Sequence, residues 1–400
     1  MKNTFLLLLT LIVFVSCKKD ELKIPSCNIK CDITLEENWT KDIFEVGDKM
    51  LFSPVIQGEK IILGSVRYPS DLTITAVNKK NGEVLWRTNL SYGIVLKYRF
   101  YEDYLVVLYI KRSSPGKDYE LTFISLKDGS FFNHQGYANS THRYVSLDQN
   151  DIIYADKDAD NIYFYNVNIK NVNENHLLVS LKYDSKDYKS LGFRNFTLFD
   201  TYDNNKMFVA INRFENISYQ FDLKNDTIYI VDLLLNDNHC FPNSAMGYLS
   251  NRMFVFDCSQ ILMYGPSGSG IGGTIPIRYH ESSYKWPLIY DYDRIMLNTS
   301  DKYGDIVVLH AVSQSIEKRY INMGKCLQLK LIDEGILVTC DGSIILLDHD
   351  SDKWLWRTKS FDKYKDKVES EVLTSPVMDT ENKDLFFVRG NSLVCAKWPE

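Results

Sequence analysis

The stretch from Ser53 to Leu90, SPVIQGEKIILGSVRYPSDLTITAVNKKNGEVLWRTNL, decides the fold. It alternates short apolar runs with polar turns, and no run has the length or the 3.6-residue period of a helix. Asn81-Gly82, which lies between two apolar runs, is the strongest local signal for a β-hairpin and predicts a tight turn with positive φ at both residues. The stretch is therefore predicted to form four strands, the last of which carries Trp86.

The same pattern recurs along the chain. Gly335 to Thr358 (GILVTCDGSIILLDHDSDKWLWRT) again ends in Trp-Arg-Thr, and Ser375-Pro376-Val377 repeats Ser53-Pro54-Val55. One residue marks the strongest apolar run of each copy, in chain order Ile61, Leu105, Ile152, Met207, Met253, Ile295, Ile336 and Leu385. The spacing between these marks is about 41 to 55 residues. A period in the forties with several strands per unit is typical of a β-propeller.

Residues 31–400 are accordingly predicted to form one all-β domain, a single β-propeller of eight four-stranded blades, with seven blades as the alternative. The last copy reaches Glu400 before an outer strand can form. The segment Cys31 to Ile43 is expected to supply that strand, because Trp39-Thr40-Lys41 matches Trp86-Arg87-Thr88. Such closure removes the exposed edge of the final blade.

The segment Ala76 to Arg87 (AVNKKNGEVLWR), preceded by Ser53-Pro54-Val55, resembles the PQQ-like propeller repeat. In that family a tryptophan of the last strand docks between blades. The resemblance assigns this structural role to the repeat tryptophans Trp39, Trp86, Trp356 and Trp398, and places Phe131 and Ile228 at the same position in middle copies. One lipoprotein of the family is an eight-bladed scaffold subunit of the outer-membrane β-barrel assembly machinery, and the present chain is similar to it in layout.

The first residues predict a lipid anchor. Phe5 to Val15 (FLLLLTLIVFV) is an apolar run of about 11 residues, too short to span a bilayer but suited to a signal peptide. Cys17 follows Val15-Ser16 as in a bacterial lipobox. We expect a signal peptide at 1–16, acylation (palmitate) at Cys17, a tether at 17–30, and attachment to the outer membrane of a Gram-negative cell envelope, facing the periplasm or the surface. The alternative is an ordinary cleaved secretory signal.

Composition argues against one class of partner. The 400 residues include 46 Lys and Arg against 52 Asp and Glu, so the net charge is −6. Nucleic-acid binding normally needs a basic face, so no nucleic-acid partner is expected. Tyr (26) and Phe (21) are abundant, which favours strands.

Eight cysteines are present, and acylation of Cys17 leaves seven. An oxidising envelope permits disulfides. The candidate pairs are Cys240 with Cys258, Cys326 with Cys340, and Cys395 with Cys27 or Cys31, of which a Cys31–Cys395 bridge would span the closing seam. The alternative is a set of buried thiols, each packed as a small apolar side chain.

No catalytic or cofactor set is evident. Quinoprotein dehydrogenases of the same fold hold their cofactor with adjacent cysteines, a stacking Trp and a Ca²⁺ site, and this chain has no Cys-Cys pair. The Asp156-x-Asp158-x-Asp160 triplet resembles the start of a Ca²⁺ loop but lacks its Gly and Glu, which favours a solvated turn. We therefore expect no cofactor, no metal and no enzymatic activity.

The function expected from the sequence is a protein-binding scaffold whose partner is another envelope protein. A glycan-binding surface lipoprotein is the first alternative, because four clustered aromatic residues could stack on sugar rings: Tyr284, Trp286, Tyr290 and Tyr292. An aromatic core between blades explains the same cluster. A PQQ-dependent dehydrogenase is the second alternative.

Overall fold

Every regular element described by the structure, a computed structural model, is a β-strand. The chain enters with two strands, β1 (Lys30–Ile33) and β2 (Glu37–Asp42), which join sheets formed mainly by its C-terminal part. The described residues are 30–45, 47–67, 71–90, 93–111, 118–134, 144–148, 151–157, 161–168, 171–182, 193–200, 206–212, 217–225, 227–232, 246–249, 252–257, 260–264, 271–275, 288–289, 294–298, 305–310, 313, 315–320, 323, 326–327, 329–340, 342–351, 353–358 and 374–399.

The later strands of the described chain form eight sheets, numbered 1 to 8 in chain order. Sheet 1 contains β3 (Lys49–Gln57), β4 (Lys60–Arg67), β5 (Asp71–Asn78) and β6 (Val84–Leu90). Sheet 2 contains β7 (Gly93–Tyr101), β8 (Tyr104–Lys111), β9 (Asp118–Ser125) and β10 (Phe131–His134). Sheet 3 contains β11 (Tyr144–Asp148), β12 (Asp151–Lys157), β13 (Asn161–Asn168) and β14 (Asn171–Lys182). Sheet 4 contains β15 (Phe193–Asp200), β16 (Lys206–Asn212), β17 (Ile217–Asp222) and β18 (Thr227–Asp232).

The C-terminal half repeats this plan. Sheet 5 contains β19 (Met246–Leu249), β20 (Arg252–Asp257), β21 (Gln260–Tyr264) and β22 (Ile271–Ile275). Sheet 6 contains β23 (Leu288–Ile289), β24 (Arg294–Asn298), β25 (Ile306–His310) and β26 (Ser315–Tyr320). Sheet 7 contains β27 (Lys330–Ile332), β28 (Gly335–Cys340), β29 (Ser343–Leu347) and β30 (Trp354–Thr358), with β1 added beside β30. Sheet 8 contains β31 (Val377–Asp379), β32 (Asp384–Arg389) and β33 (Ser392–Lys397), with β2 beside β33.

The backbones of neighbouring sheets come closest together at their first strands. Strand β11 contacts both β7 and β15, and β3 contacts β31 and β32 of the last sheet. The first strands therefore lie toward the centre of the ring and the fourth strands at its rim. We call the fourth strands β6, β10, β14, β18, β22, β26, β30 and β2 the outer strands.

The middle strands explain the short continuous apolar runs in the sequence. Ile61, Ile62 and Leu63 of β4 have no exposed surface, and every residue of β28 and β29 is buried. A middle strand between two neighbouring sheets has both of its faces covered, so both alternating sets of side chains are apolar. One apolar cluster joins sheets 1 and 2, another joins sheets 7 and 8, and a third joins sheets 8 and 1.

The N-terminal segment closes the ring. Strand β2 pairs antiparallel with β33, so that Trp39 lies opposite Cys395 and Asp42 opposite Ser392. Arg389 forms a two-bond ion pair with Glu37, with nitrogen to oxygen distances of 2.6 and 3.1 Å. The prediction of an all-β propeller completed by an N-terminal strand is confirmed.

Strand β1 was not expected from the sequence. It pairs in parallel with β30, with Lys30 opposite Trp356 and Ile33 opposite Thr358. Leu35, which follows it, is buried in the cluster between sheets 7 and 8. The first described residues thus cover the outer edge of sheet 7 before they complete sheet 8.

The repeat predicted from the sequence matches the sheets of the structure. Each of the eight residues that mark the repeat lies in the second strand of a different sheet.

The turn between β5 and β6 is not the expected two-residue turn. Asn78 N–H bonds to the Glu83 carbonyl across a four-residue loop, and within it only Gly82 has positive φ (+71°). The side chains of Asn78 and Asn81 accept backbone N–H groups, which stabilises the longer loop.

Candidate functional site

Tryptophans of the outer strands pack against turns of the next sheet. A Cβ on Gly82 of sheet 1 would lie 2.7 Å from the ring of Trp39 in β2, and one on Gly129 of sheet 2 would lie 2.6 Å from Trp86 in β6. Thr88 adds a hydrogen bond of 2.5 Å to the Gly129 carbonyl. The outer strand of one sheet is thereby fixed to the turn that follows the third strand of its neighbour.

A third junction uses two tryptophans. Trp356 of β30 is 5% exposed and meets Trp398, which follows β33, edge to face with ring centroids 5.3 Å apart. The middle copies differ, because Phe131 and Ile228 are 48% and 50% exposed. These two residues leave much of their apolar surface at the rim.

Replacing Gly129 with Ala tests this packing. We expect the free energy of unfolding to fall by roughly 2 to 4 kcal/mol, because the positive φ (+76°) costs about 1 kcal/mol and the clash with Trp86 about 1 to 3 kcal/mol more. Gly58→Ala is the matched control, since Gly58 also has positive φ (+58°) but a Cβ there has no atom within 4 Å. Urea unfolding followed by tryptophan fluorescence measures both. Equal losses in the two variants would show that the tryptophan contact does not matter.

A buried ion pair joins the first and last sheets. Lys79 Nζ, in the loop between β5 and β6, lies 2.9 Å from Asp379 Oδ2 at the end of β31, and the side chains are 6% and 8% exposed. Asp379 also accepts a hydrogen bond of 2.8 Å from Asn382. The hydrogen bond to Asp379 raises the pKa of Lys79. Burial acts to raise the pKa of Asp379, but the bonds from Lys79 and Asn382 outweigh it and lower that pKa. Both groups are therefore held in their charged forms.

The cysteines differ in state. Cys326 and Cys340 form a disulfide that ties the start of sheet 7 to β28. Cys395 carries a free, buried thiol, so the expected Cys31–Cys395 bridge is wrong. The strand register is the reason, because Trp39 lies opposite Cys395, whereas Cys31 belongs to β1 in sheet 7. Burial raises the pKa of Cys395 to about 12, which keeps the thiol protonated.

Exposed apolar side chains concentrate on the outer strands. Of the large apolar residues that are well exposed in the described part of the chain, all but Leu331 lie on β6, β10, β14, β18 or β26. They are Val84, Leu85, Phe131, Phe132, Leu177, Ile228, Ile230 and Ile316. We call these eight residues the rim set. An edge strand with exposed apolar side chains offers both unpaired backbone groups and apolar contact area to another chain.

Several predicted site residues lie outside the described residues. They are Cys17, Cys240, Cys258, Tyr284, Trp286, Tyr290 and Tyr292, together with Asp158 and Asp160. Among the described residues, no group of three or more His, Cys, Asp or Glu side chains is arranged to hold a metal ion. That part of the chain also contains no helix with the length and hydropathy needed to cross a membrane.

Comparison with known proteins places the fold. BamB from Moraxella catarrhalis is 11% identical with a TM-score of 0.51, over 92% of this chain and 99% of that one. Sqt1 from Saccharomyces cerevisiae is 7% identical with a TM-score of 0.54, over 92% and 100% of the two chains. The C-terminal WD40 domain of Sif2 is 9% identical with a TM-score of 0.53, over 93% and 99%. The chain is a β-propeller similar to BamB. No protein-family model and no curated protein sequence matches it.

Proposed function

We propose that this chain is a lipid-anchored, non-catalytic scaffold of the bacterial cell envelope that binds proteins at the rim of its propeller. The rim set carries the proposal, because it places apolar side chains on strands whose outer edges have no strand partner among the described residues. Proteins add extended segments to such edges and bury the apolar side chains beside them. The similarity in fold to BamB and to WD40 domains is consistent with this mode of action.

The anchor part of the proposal rests on the N-terminal sequence. An acylated Cys17 would be joined to β1 by the residues up to Lys30, which span at most about 45 Å when fully extended. The rim at sheet 7 would then lie within that distance of the membrane.

The proposal is tested in the organism of origin. An affinity-tagged full-length chain is crosslinked mildly, extracted from membranes with detergent and purified. We expect one envelope protein to be recovered in a fixed ratio to the chain, and a Cys17→Ala variant to leave the membrane fraction and lose palmitate labelling. Recovery of no partner in repeated crosslinking, or reduction of a dye by the chain with added PQQ and Ca²⁺, would overturn the proposal.

A further inference from the structure

Two outer strands of the propeller have almost the same sequence. Strand β6 begins with VLWRT (Val84 to Thr88), and β30 consists of WLWRT (Trp354 to Thr358). Both are fourth strands, in sheets 1 and 7. Trp86 of β6 and Trp356 of β30 occupy equivalent positions, and each packs in the apolar cluster shared with the following sheet. The chain therefore contains two outer strands, β6 and β30, with nearly the same sequence and the same position in their sheets.

Within the part of the chain that the structure describes, a strand covers the edge of β30 but not that of β6. Strand β1 runs parallel to β30, where Trp356 is 5% exposed and shares its apolar cluster with Leu35. No strand pairs with the outer edge of β6 among the described residues, and there Val84 and Leu85 are each 47% exposed. The covered copy therefore shows what a strand of this sequence can bind, namely an extended segment in parallel orientation.

The covering segment shows which side chains such an occupant needs. Ile33 and Leu35 both pack against the cluster that contains Trp356, and they are two residues apart. In an extended segment, residues two apart project to the same side. At the uncovered edge, Trp86 packs against the equivalent cluster between sheets 1 and 2 but is only partly buried. A second segment with this spacing would bring its apolar side chains to the same position beside Trp86.

We propose that the outer edge of β6 binds an extended segment of a partner protein that carries two apolar residues two positions apart, in the parallel register that β1 uses on β30. By that register, the segment residue equivalent to Lys30 lies opposite Trp86 and the one equivalent to Ile33 lies opposite Thr88. The proposal rests on the proposed function, because the occupant is a protein, and it adds where and how that protein is held. Main-chain hydrogen bonds supply the attraction and the paired apolar side chains supply the selectivity.

A peptide taken from the chain itself is the probe. It comprises residues 28–36 with Cys31→Ser and an N-terminal fluorophore, and its binding to the full mature chain is followed by fluorescence anisotropy. We expect saturable binding and slower amide hydrogen exchange in β6, with no change in β30. Leu85→Glu should weaken binding at least tenfold, because it places a charge on the apolar edge. A peptide that also carries Ile33→Ser and Leu35→Ser should bind at least tenfold more weakly, because it lacks the two apolar side chains that pack against the cluster.

Two variants of the chain locate the peptide. Leu177→Glu is the matched control, because Leu177 is a 55% exposed leucine on the outer strand β14, and it should leave binding unchanged. Leu355→Glu should also leave binding unchanged, because it lies on β30. Loss of binding in the Leu355 variant but not in the Leu85 variant would place the peptide on β30 and overturn the proposal. Circular dichroism checks that each variant is folded.

The outcome separates this site from the proposed function. Absence of peptide binding, while crosslinking still captures an envelope partner, would reject the β6 site and leave the scaffold function standing. Peptide binding that responds to Leu85→Glu, without any captured partner, would support the β6 site and count against the scaffold function.

Discussion

A chain that begins at Phe44 is expected to lose its cooperative fold, because this truncation removes the strand that closes the ring. It deletes Trp39, which packs on Gly82 and lies 5.9 Å from the Phe386 ring, and Ile43, which is 7% exposed. Loss of a fully buried Trp costs about 3 to 5 kcal/mol, which is an upper limit for the partly buried Trp39, and loss of a buried Ile costs about 2 to 5 kcal/mol. The sum is comparable with the whole stability of a typical domain, about 5 to 15 kcal/mol.

A second truncation is the control. A chain that begins at Thr34 lacks β1 but keeps β2 and Leu35, so it should still unfold in one transition with a modest loss of stability. Far-ultraviolet circular dichroism in increasing urea compares the two chains with the full mature protein. If the chain beginning at Phe44 unfolds at the same urea concentration as the chain beginning at Thr34, β2 does not close the ring.

Asp379→Asn is expected to have the second largest effect, a loss of about 3 to 5 kcal/mol, because it leaves the Lys79 ammonium buried without its counter-charge. Replacing both residues with apolar ones, Lys79→Met and Asp379→Leu, should cost much less than the two single changes added together. Lys80→Met is the matched control. Lys80 pairs with Glu59 at 3.3 Å, but its side chain is 78% exposed, so its removal should cost about 0 to 1 kcal/mol.

The same pair predicts a pH dependence. The pKa of Asp379 is lowered from its ordinary 3.8, so its contribution to stability is complete above that value and is lost as the pH falls through the lower folded pKa. The pKa of Lys79 is raised from 10.5, so its contribution is complete below that value and is lost as the pH rises through the higher folded pKa. Urea midpoints of the wild type and Asp379→Asn should therefore differ by a constant amount between about pH 5 and 9 and converge in acid. A difference that stays constant down to pH 2 would contradict this assignment.

The repeat made the fold predictable. Each strong apolar run became the second strand of a sheet, because a strand covered on both faces needs apolar side chains at every position. The N-terminal strand could also be predicted, since Trp39-Thr40-Lys41 fills a gap left by the last copy. Strand β1 could not be predicted, because the four residues KCDI carry no period and pair in parallel with a strand more than 300 positions away.

The candidate site was less predictable than the fold. Lys79 lies in a polar turn and Asp379 is the last residue of the short strand β31, so the sequence alone does not indicate that either residue is buried. Only ring closure brings them together across 300 positions. Phe131 and Ile228 were expected to act like Trp86, but their exposure depends on the neighbouring sheet, which the sequence of one repeat does not specify. The Cys31–Cys395 bridge failed for a related reason, since it required a strand register that β1 and β2 do not adopt.

The central claim is that residues near the two ends of the chain form one sheet and close a single ring, on which both binding proposals depend. Ser392 Oγ and Asp42 Oδ1 are 2.5 Å apart on paired strands, so the double variant Asp42→Cys/Ser392→Cys tests the claim directly. Under oxidising, non-reducing conditions, peptide mapping by mass spectrometry should find an intramolecular disulfide between positions 42 and 392 in nearly every molecule. Thiols that stay free at both positions, or that link only separate molecules, would contradict the closed ring.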